Sequence, residues 1–495
     1  MGKKIKKGTK GAVTQFLTRS RAIRKLQLSL SDFRTLCILK GIYPREPKKR
    51  FKNHSTNKTY YHVKDINFLA REELVDKFRE TKAHLKKHKR AVNRGDKKLA
   101  ELILKQKPKL TLHHLIKERY PSFDNALRDI DDALCMLNLF ANFSSHQTHQ
   151  ISTDQIQLCK RLTYEFMYFV ILTQSLNKSY LTVKGIYYSA TINAVNIVWL
   201  VPYKFSQKLP FDVDYKIMLT FLDFYQTLVK FVNFKLFNDL GLEYPPPALA
   251  DLSNFSFLNI QGEIRAKQRE LEKKFEKKEK EIEFSEEFKD SEEVKTISEA
   301  HEDRIKSRNL FKNLVFYLNR ETPTYSLEFM LLSRKCKIGY DSDSSQIKEA
   351  DKSITHHICD RPQKNTPTNL STEEVYTNRE HIQPQWVYDC INHSFLLPTL
   401  PYFPGTPLPA HLSPFVDNHL EGYVPPRQIQ IDKLKGKQTT KSQTPIFDFI
   451  DEQSDHEQQE KPFTKELVNQ NQDDDENMSE SEPEDKEKHL LKIKT

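Results

Sequence analysis

Leu314-Val315-Phe316-Tyr317-Leu318 places five apolar residues in a row, without the polar alternation of a strand that keeps one face wet. Such a run reads as a strand buried on both sides, the kind that parallel sheets contain. Leu327 to Leu332 follows as a short helix and Ile354-Thr355-His356-His357-Ile358-Cys359 as a second buried strand. Gln385-Trp386-Val387-Tyr388-Asp389-Cys390-Ile391 then opens another helix. Strands alternating with helices over about 100 residues predict a small parallel sheet. Trp386 and Cys390, four apart on one helix face, are both assigned to its core.

Upstream of this block, residues 263–309 are dominated by charge, as in Glu270-Leu271-Glu272-Lys273-Lys274-Phe275-Glu276-Lys277-Lys278-Glu279. Opposite charges at i, i+4 predict a solvated helix, read as a linker over 261–306. Its apolar positions Ile264, Leu271, Phe275 and Ile282 fill too few heptads for a coiled coil. Further back, Leu162, Phe166, Phe169 and Val170 keep helical spacing, as do Phe221, Phe224, Tyr225, Leu228, Phe231 and Val232. Between these core helices, Val183 to Tyr188 and Val195-Asn196-Ile197-Val198-Trp199-Leu200-Val201 read as β-structure, the second as one arm of a hairpin. Nearer the start, Ser31 can cap a helix with Phe33, Leu36 and Leu39 as its stripe and Gly41 as its stop. A helical pattern from Ile66 to Arg90 turns at Asn93-Arg94-Gly95-Asp96 into another helix, and Leu127 opens an amphipathic helix running to Phe140.

The expected fold is therefore α+β and multidomain. A mainly helical amino-terminal domain with a small β-hairpin (1–260) precedes the charged, disordered linker, and a domain built on the small parallel sheet occupies 307–404. An extended Pro-containing segment (405–446) and an acidic disordered tail (447–495) follow, the tail ending in runs such as Asp473-Asp474-Asp475-Glu476.

Composition excludes several chemistries. Twelve glycines in 495 residues include no G-x-G-x-x-G and no G-x-x-x-x-G-K-[ST], which removes the common nucleotide loops. Six cysteines with no C-x-x-C leave no zinc ribbon or dithiol centre and suit a reducing compartment. No apolar h-region follows the lysine-rich start and no run of 18 apolar residues occurs, so neither secretion nor membrane spanning is expected. The charge is asymmetric: residues 1–100 hold 29 Lys and Arg against 8 Asp and Glu, a net +21, whereas the rest of the chain nets −10. Crowding of this kind is the footprint of a polyanion ligand, here nucleic acid. Lys82, Lys86, Lys87, Lys89 and Arg90 are the candidate RNA contacts, and Lys48-Lys49-Arg50, behind Pro44 and Pro47, is a candidate nuclear import signal.

Other groups are assigned bland roles. Asp129, Asp131 and Asp132 resemble a metal cluster in composition, but helical spacing turns Asp131 away from the other two, and Arg128 is expected to pair with Asp132. His84-x-x-x-His88 has ligand spacing but basic neighbours that repel a cation, so both are expected to be solvated histidines on a phosphate-facing surface. No metal site, cofactor or catalytic residue is predicted.

Four blocks carry a family resemblance: Phe16-Leu17-Thr18-Arg19 through Ala22-Ile23-Arg24-Lys25-Leu26-Gln27-Leu28-Ser29 with Lys40-Gly41-Ile42-Tyr43-Pro44-Arg45-Glu46-Pro47; Lys117-Glu118-Arg119-Tyr120-Pro121 with Ala126-Leu127-Arg128-Asp129; Lys184-Gly185-Ile186-Tyr187-Tyr188; and Gln383-Pro384-Gln385-Trp386-Val387. Over roughly residues 1–430 the chain resembles the pescadillo family of nucleolar ribosome-assembly factors. The resemblance implies one BRCT domain over 307–404 with Trp386 as the buried anchor of its last helix. Lys335-Cys336 stands where many BRCT domains have Gly-Gly. Asn319-Arg320-Glu321-Thr322 follows the first strand where phosphopeptide-binding ones have Ser/Thr-Gly. It further implies a non-enzymatic scaffold for large ribosomal subunit biogenesis, needed for pre-rRNA processing and pre-ribosome assembly. Its implied partners are pre-rRNA, large-subunit precursor particles and two WD-repeat proteins, and its implied location is the nucleus, in nucleolus and nucleoplasm. The alternative is a BRCT-containing DNA-repair or chromatin adaptor. A metal-dependent RNA nuclease would rest on the acidic trio alone.

Overall fold

A computed structural model of the chain describes residues 15–47, 58–108, 110–205, 209–210, 212–252, 255–281, 302–342, 345–361, 379–416 and 423–436. The lysine arm before residue 15, the import candidate Lys48-Lys49-Arg50 and the acidic tail lie outside them. Phe16–Thr18 (β1) pairs antiparallel with Tyr60–His62 (β2), closing the loop that holds Arg19–Leu26 (α1) and Leu30–Leu39 (α2). Phe33, Leu36 and Leu39 are buried as their spacing requires. The cap is Ser29 rather than Ser31: the Ser29 hydroxyl accepts from the Asp32 amide at 3.1 Å, and Ser29 has the extended backbone a cap needs. The pattern from Ile66 to Arg90 is two helices, Val63–Leu69 (α3) and Glu73–Asn93 (α4), followed by Lys97–Lys105 (α5).

His113–Arg119 (α6) leads to Phe123–Arg128 (α7) and Ile130–Ala141 (α8). The helix expected from Leu127 onward is thus broken at Asp129, and Arg128 does not pair with Asp132. Asp131 instead accepts from the Asp132 amide at 2.8 Å, and both acids sit in the first turn of α8, where the helix dipole favours them. Thr153–Thr173 (α9) begins with a capping box, the Ser152 hydroxyl and the Gln155 side chain each accepting from the other residue's amide. With Tyr215–Asp239 (α10) and α8 it forms the helical core, built on the two phenylalanine stripes.

The predicted small hairpin is a three-stranded antiparallel sheet, ordered Leu176–Thr182 (β3), Gly185–Ile192 (β4), Val195–Val201 (β5). Asn193 and Ala194, at φ 47° and 63°, make the two-residue turn between the last two, matching the twist of the strands they join. Gly185 holds φ +150°, and a Cβ there would lie 2.5 Å from the Val201 carbonyl oxygen, which explains a glycine at this point of the block. Strand β3 escapes a pattern search because Leu-Asn-Lys-Ser-Tyr-Leu-Thr does not alternate. It is an edge strand, and its outer hydrogen bonds go to side chains: the Ser179 amide to Asn392 Oδ1 (2.9 Å) and the Leu181 amide to His411 Nε2 (3.1 Å).

The second sheet is parallel, as read from the sequence. Val315–Leu318 (β6) is flanked by Lys337–Tyr340 (β7) and His356–Ile358 (β8), and Glu380–Ile382 (β9) forms the far edge. Thr324–Leu332 and Gln385–His393 are the helices after β6 and β9. Lys335, in the turn where the first of these ends, takes φ 63° and sends its ammonium to Asn309 and Glu272.

Two boundaries need correction. The helix Gln261–Glu281 is not a solvated linker at its start: Ile264, Gln268 and Leu271 are buried. Gln268 Nε2 donates to the carbonyls of Ile171 (2.8 Å) and Leu332 (3.1 Å), one in each half of the molecule. The segment from 405 is not merely extended: Pro426–Leu434 is helical, and residues 411–414 lie along β3, where Lys178 Nζ donates to the Pro414 carbonyl.

The halves expected as separate domains share one core. Phe329 packs edge-on to Tyr188 at 5.0 Å, and the Tyr188 hydroxyl donates to Ser326 Oγ (2.8 Å), which also bonds Tyr388. Arg334, 2% exposed, donates to the Leu176 carbonyl at 2.9 Å. The described residues accordingly cluster as one unit.

Candidate nucleic-acid interface

Leu74, Val75 and Phe78 anchor the first two turns of α4 in the core. Beyond them the helix pairs with α5 across the turn Arg94-Gly95-Asp96, where Gly95 has φ +83°. Ala91 and Ala100 are buried in the seam, and the His84 ring bonds the Ile103 carbonyl. His84 therefore belongs to the hairpin seam and is not the solvated phosphate-facing residue expected.

At about 100° per residue, a seam fixed by His84 and Ala91 turns Lys82, Lys86, Lys89 and Arg90 onto the arc facing away from α5, with Lys87 beside the seam. All five are exposed, and none forms an ion pair among the described residues. Lys82 Nζ reaches only the Gln27 carbonyl, at 3.3 Å. From Lys82 to Arg90 the rise is about 12 Å, so the exposed side of the helix presents four cations over a short span, with Lys87 at its margin. Such a surface binds phosphate without sequence preference.

Other basic residues nearby are committed to the fold. Arg79 pairs with Asp76 at 2.8 Å and donates to the Leu26 carbonyl. Lys40 reaches Glu72 at 2.6 Å and Glu118 at 2.5 Å with its side chain 6% exposed, and His114 bonds the same Glu72 at 2.9 Å. Burial alone would lower the Lys40 ammonium pKa, but the hydrogen bonds and charges of Glu118 and Glu72 outweigh it and hold it above its ordinary value. Lys40→Met should cost about 2–3 kcal/mol, less than the loss of an isolated buried pair because Glu72 keeps His114. Urea unfolding measures this, and no change in the midpoint would show that the cluster contributes nothing.

The remaining candidates are spent structurally. Burial, with the charge of Asp129, pushes the Tyr120 phenol up to about 12 against the opposing charge of Arg119. Cys390 is buried, accepts from the Leu397 amide at 3.3 Å and has its thiol pKa raised by burial, the opposite of a nucleophile. Trp386 is 1% exposed, donates Nε1–H to the Leu397 carbonyl at 2.9 Å and stacks on His356 and Phe311. Among the described residues, no group of three His, Cys, Asp or Glu side chains is placed to hold a metal, and no helix is long and apolar enough to cross a membrane.

Residues 6–283 match the family model described as Pescadillo N-terminus. The Pescadillo homolog of Nematostella vectensis is 42% identical over 446 residues, covering 86% of this chain and 84% of that protein. Pescadillo of Danio rerio is 40% identical, covering 88% and 76%, and the Pescadillo homolog of Schizosaccharomyces pombe is 40% identical, covering 88% and 77%. A match over more than half of the chain, joined to relatives aligned along most of it, makes this protein a member of the pescadillo family.

Proposed function

We propose that the protein is a non-enzymatic scaffold in large ribosomal subunit biogenesis, which binds pre-rRNA through the outer face of α4 and holds partner proteins on the rest of its surface. The observation that carries the RNA contact is the set of five exposed cations without counterions. By family, the partners are two WD-repeat proteins within the large-subunit precursor, and the location is nucleolus and nucleoplasm. The unit around the parallel sheet, from Val315 to Tyr402, is read as the BRCT domain: its β-α-β order and the buried Trp386 support that reading. Its first strand is followed by Asn319-Arg320-Glu321-Thr322 in place of the Ser/Thr-Gly of phosphopeptide-binding BRCT domains. The amides of Asp360 and Arg361 donate to Glu321 Oε1 at 3.1 Å each. No feature of the described residues favours the repair-adaptor or nuclease readings.

Replacing Lys82, Lys86, Lys87, Lys89 and Arg90 by Ala should weaken binding to single-stranded pre-rRNA fragments about 10- to 100-fold at 0.1 M salt. It should also flatten the slope of log K against log salt by up to about 3.5, at about 0.7 per lost phosphate contact. Fluorescence anisotropy over a salt series reads both quantities. An unchanged affinity and slope would remove this face as the RNA site.

A further inference from the structure

Where α4 passes the first turn of α2, the two helices leave an open groove of about 350 Å³. On the α4 side, Phe78 and Leu85 give it an apolar lining, and Lys82, Lys86 and Lys89 line the same side. From α2 it is lined by Ser29, Ser31 and Asp32. Leu85 is 49% exposed, a large apolar side chain left open among lysines. We propose that this groove seats one unstacked nucleotide of single-stranded RNA and selects guanine through the Asp32 carboxylate. The proposal rests on the RNA-binding reading of the α4 face and adds to it a base-reading residue.

The lining calls for a ligand of mixed character, anionic on one side, flat and apolar in the middle, and a hydrogen-bond donor on the other. A nucleotide has this order: phosphate for the lysines, the base face for Leu85 and Phe78, and the base edge for Asp32. An acidic peptide meets the lysines but brings its own carboxylates towards Asp32. A duplex keeps its bases stacked and paired, so only its phosphates reach the groove.

Asp32 has one oxygen engaged, since Oδ2 accepts from the Ser29 hydroxyl at 2.6 Å while Oδ1 takes no hydrogen bond among the described residues. A carboxylate only accepts, so it selects the base edge with adjacent donors. Guanine offers N1–H and its N2 amino group side by side. Adenine and cytosine set one amino group beside an acceptor nitrogen, and uracil sets its single N3–H between two carbonyl oxygens. A good two-point contact of this kind discriminates at least about fivefold.

The test uses the full chain and two oligonucleotides, a short oligouridylate and the same oligomer with one central guanosine, compared by anisotropy at low salt. The wild type is expected to bind the guanosine oligomer at least about fivefold tighter. Asp32→Asn, which keeps an acceptor for Ser29, should bring the ratio of the two affinities to about one, and Leu85→Ser should reduce it. Taking a ratio cancels any general effect on folding or charge. A ratio near one in the wild type, or an unchanged ratio in Asp32→Asn, overturns the groove while leaving the basic face as an RNA site. Failure of the wild type to bind either oligomer removes the RNA reading and this proposal together. A polyglutamate peptide bound as tightly as the guanosine oligomer would also overturn it, making the face a site for acidic protein.

Discussion

Trp386→Ala is expected to lower global stability by about 3–5 kcal/mol, the range for emptying the volume of a buried indole. Its ring is covered on several sides, by Phe311, Phe316 and His356, and its N–H is committed to the Leu397 carbonyl. The truncation therefore leaves both a cavity and an unpaired carbonyl in the turn that follows the helix. Sequence alone suggests that such damage stays within residues 307–404, leaving the amino-terminal part folded. The shared core argues otherwise. Tyr188, Ser326 and Tyr388 form one hydrogen-bonded chain, with Tyr388 on the same helix as Trp386, so loosening that helix exposes groups of the antiparallel sheet as well. Urea unfolding followed by near-ultraviolet dichroism and by hydrogen exchange in β4 should show a single transition, shifted in the variant. Two separated transitions, with β4 protected after the parallel sheet has opened, would establish independent domains.

This shared core marks where sequence reading stops. Elements whose burial follows a pattern were legible: the phenylalanine stripes of α9 and α10, the unbroken apolar run of β6, and the α4–α5 hairpin with its Gly95 turn. Besides Phe329 on Tyr188, much of what joins the halves is polar and therefore silent in a hydropathy pattern. Gln268, Ser326 and Arg334 look like solvent-facing residues in a line of sequence, yet each is buried and bonded across the two halves. Strand β3 was hidden for a related reason, since an edge strand whose outward hydrogen bonds go to Asn392 and His411 does not need alternating residues. The basic face was legible as charge. Its separation from the structural cations Lys40 and Arg79 was not, because that depends on Glu72, Glu118 and Asp76 coming within reach in three dimensions. The groove beside α2 was equally invisible, being made by two helices about 50 residues apart in sequence.

The pH dependence of stability offers a second large effect, with opposing contributions that a single titration curve would conceal. His357, in the middle of the parallel sheet, is fully buried, and neither ring nitrogen has a partner among the described residues. Tyr317 on β6 and His381 on β9 flank it at 5.1 Å each. Burial, then the charges of His381 and Arg379, push its pKa down from 6.5 to about 4, with Glu321 opposing. An unfolded chain protonates this imidazole near pH 6.5. Its contribution is therefore intact above that pH and is lost as pH falls towards 4, by about 2 kcal/mol at pH 5 and about 3 at pH 4. Glu328 works in the other direction. It is buried, and despite the Ser256 hydroxyl and the charge of Lys204 its pKa is pushed by burial up to about 7, so the folded state takes up a proton as pH falls from 7 towards 4.5 and gains stability there. His393, pushed down to about 4 by burial, loses stability in the same direction as His357, so the wild-type curve sums several slopes and the informative quantity is a difference. His357→Leu, which removes the titrating ring and fills its place with apolar volume, should gain about 2 kcal/mol relative to the wild type between pH 7 and pH 5. Glu328→Gln should lose relative to the wild type over the same interval, because it can no longer take up the proton. Parallel pH profiles for wild type and His357→Leu, measured by urea unfolding at each pH, would mean that the imidazole finds a partner or solvent in the folded protein and that its burial carries no electrostatic cost.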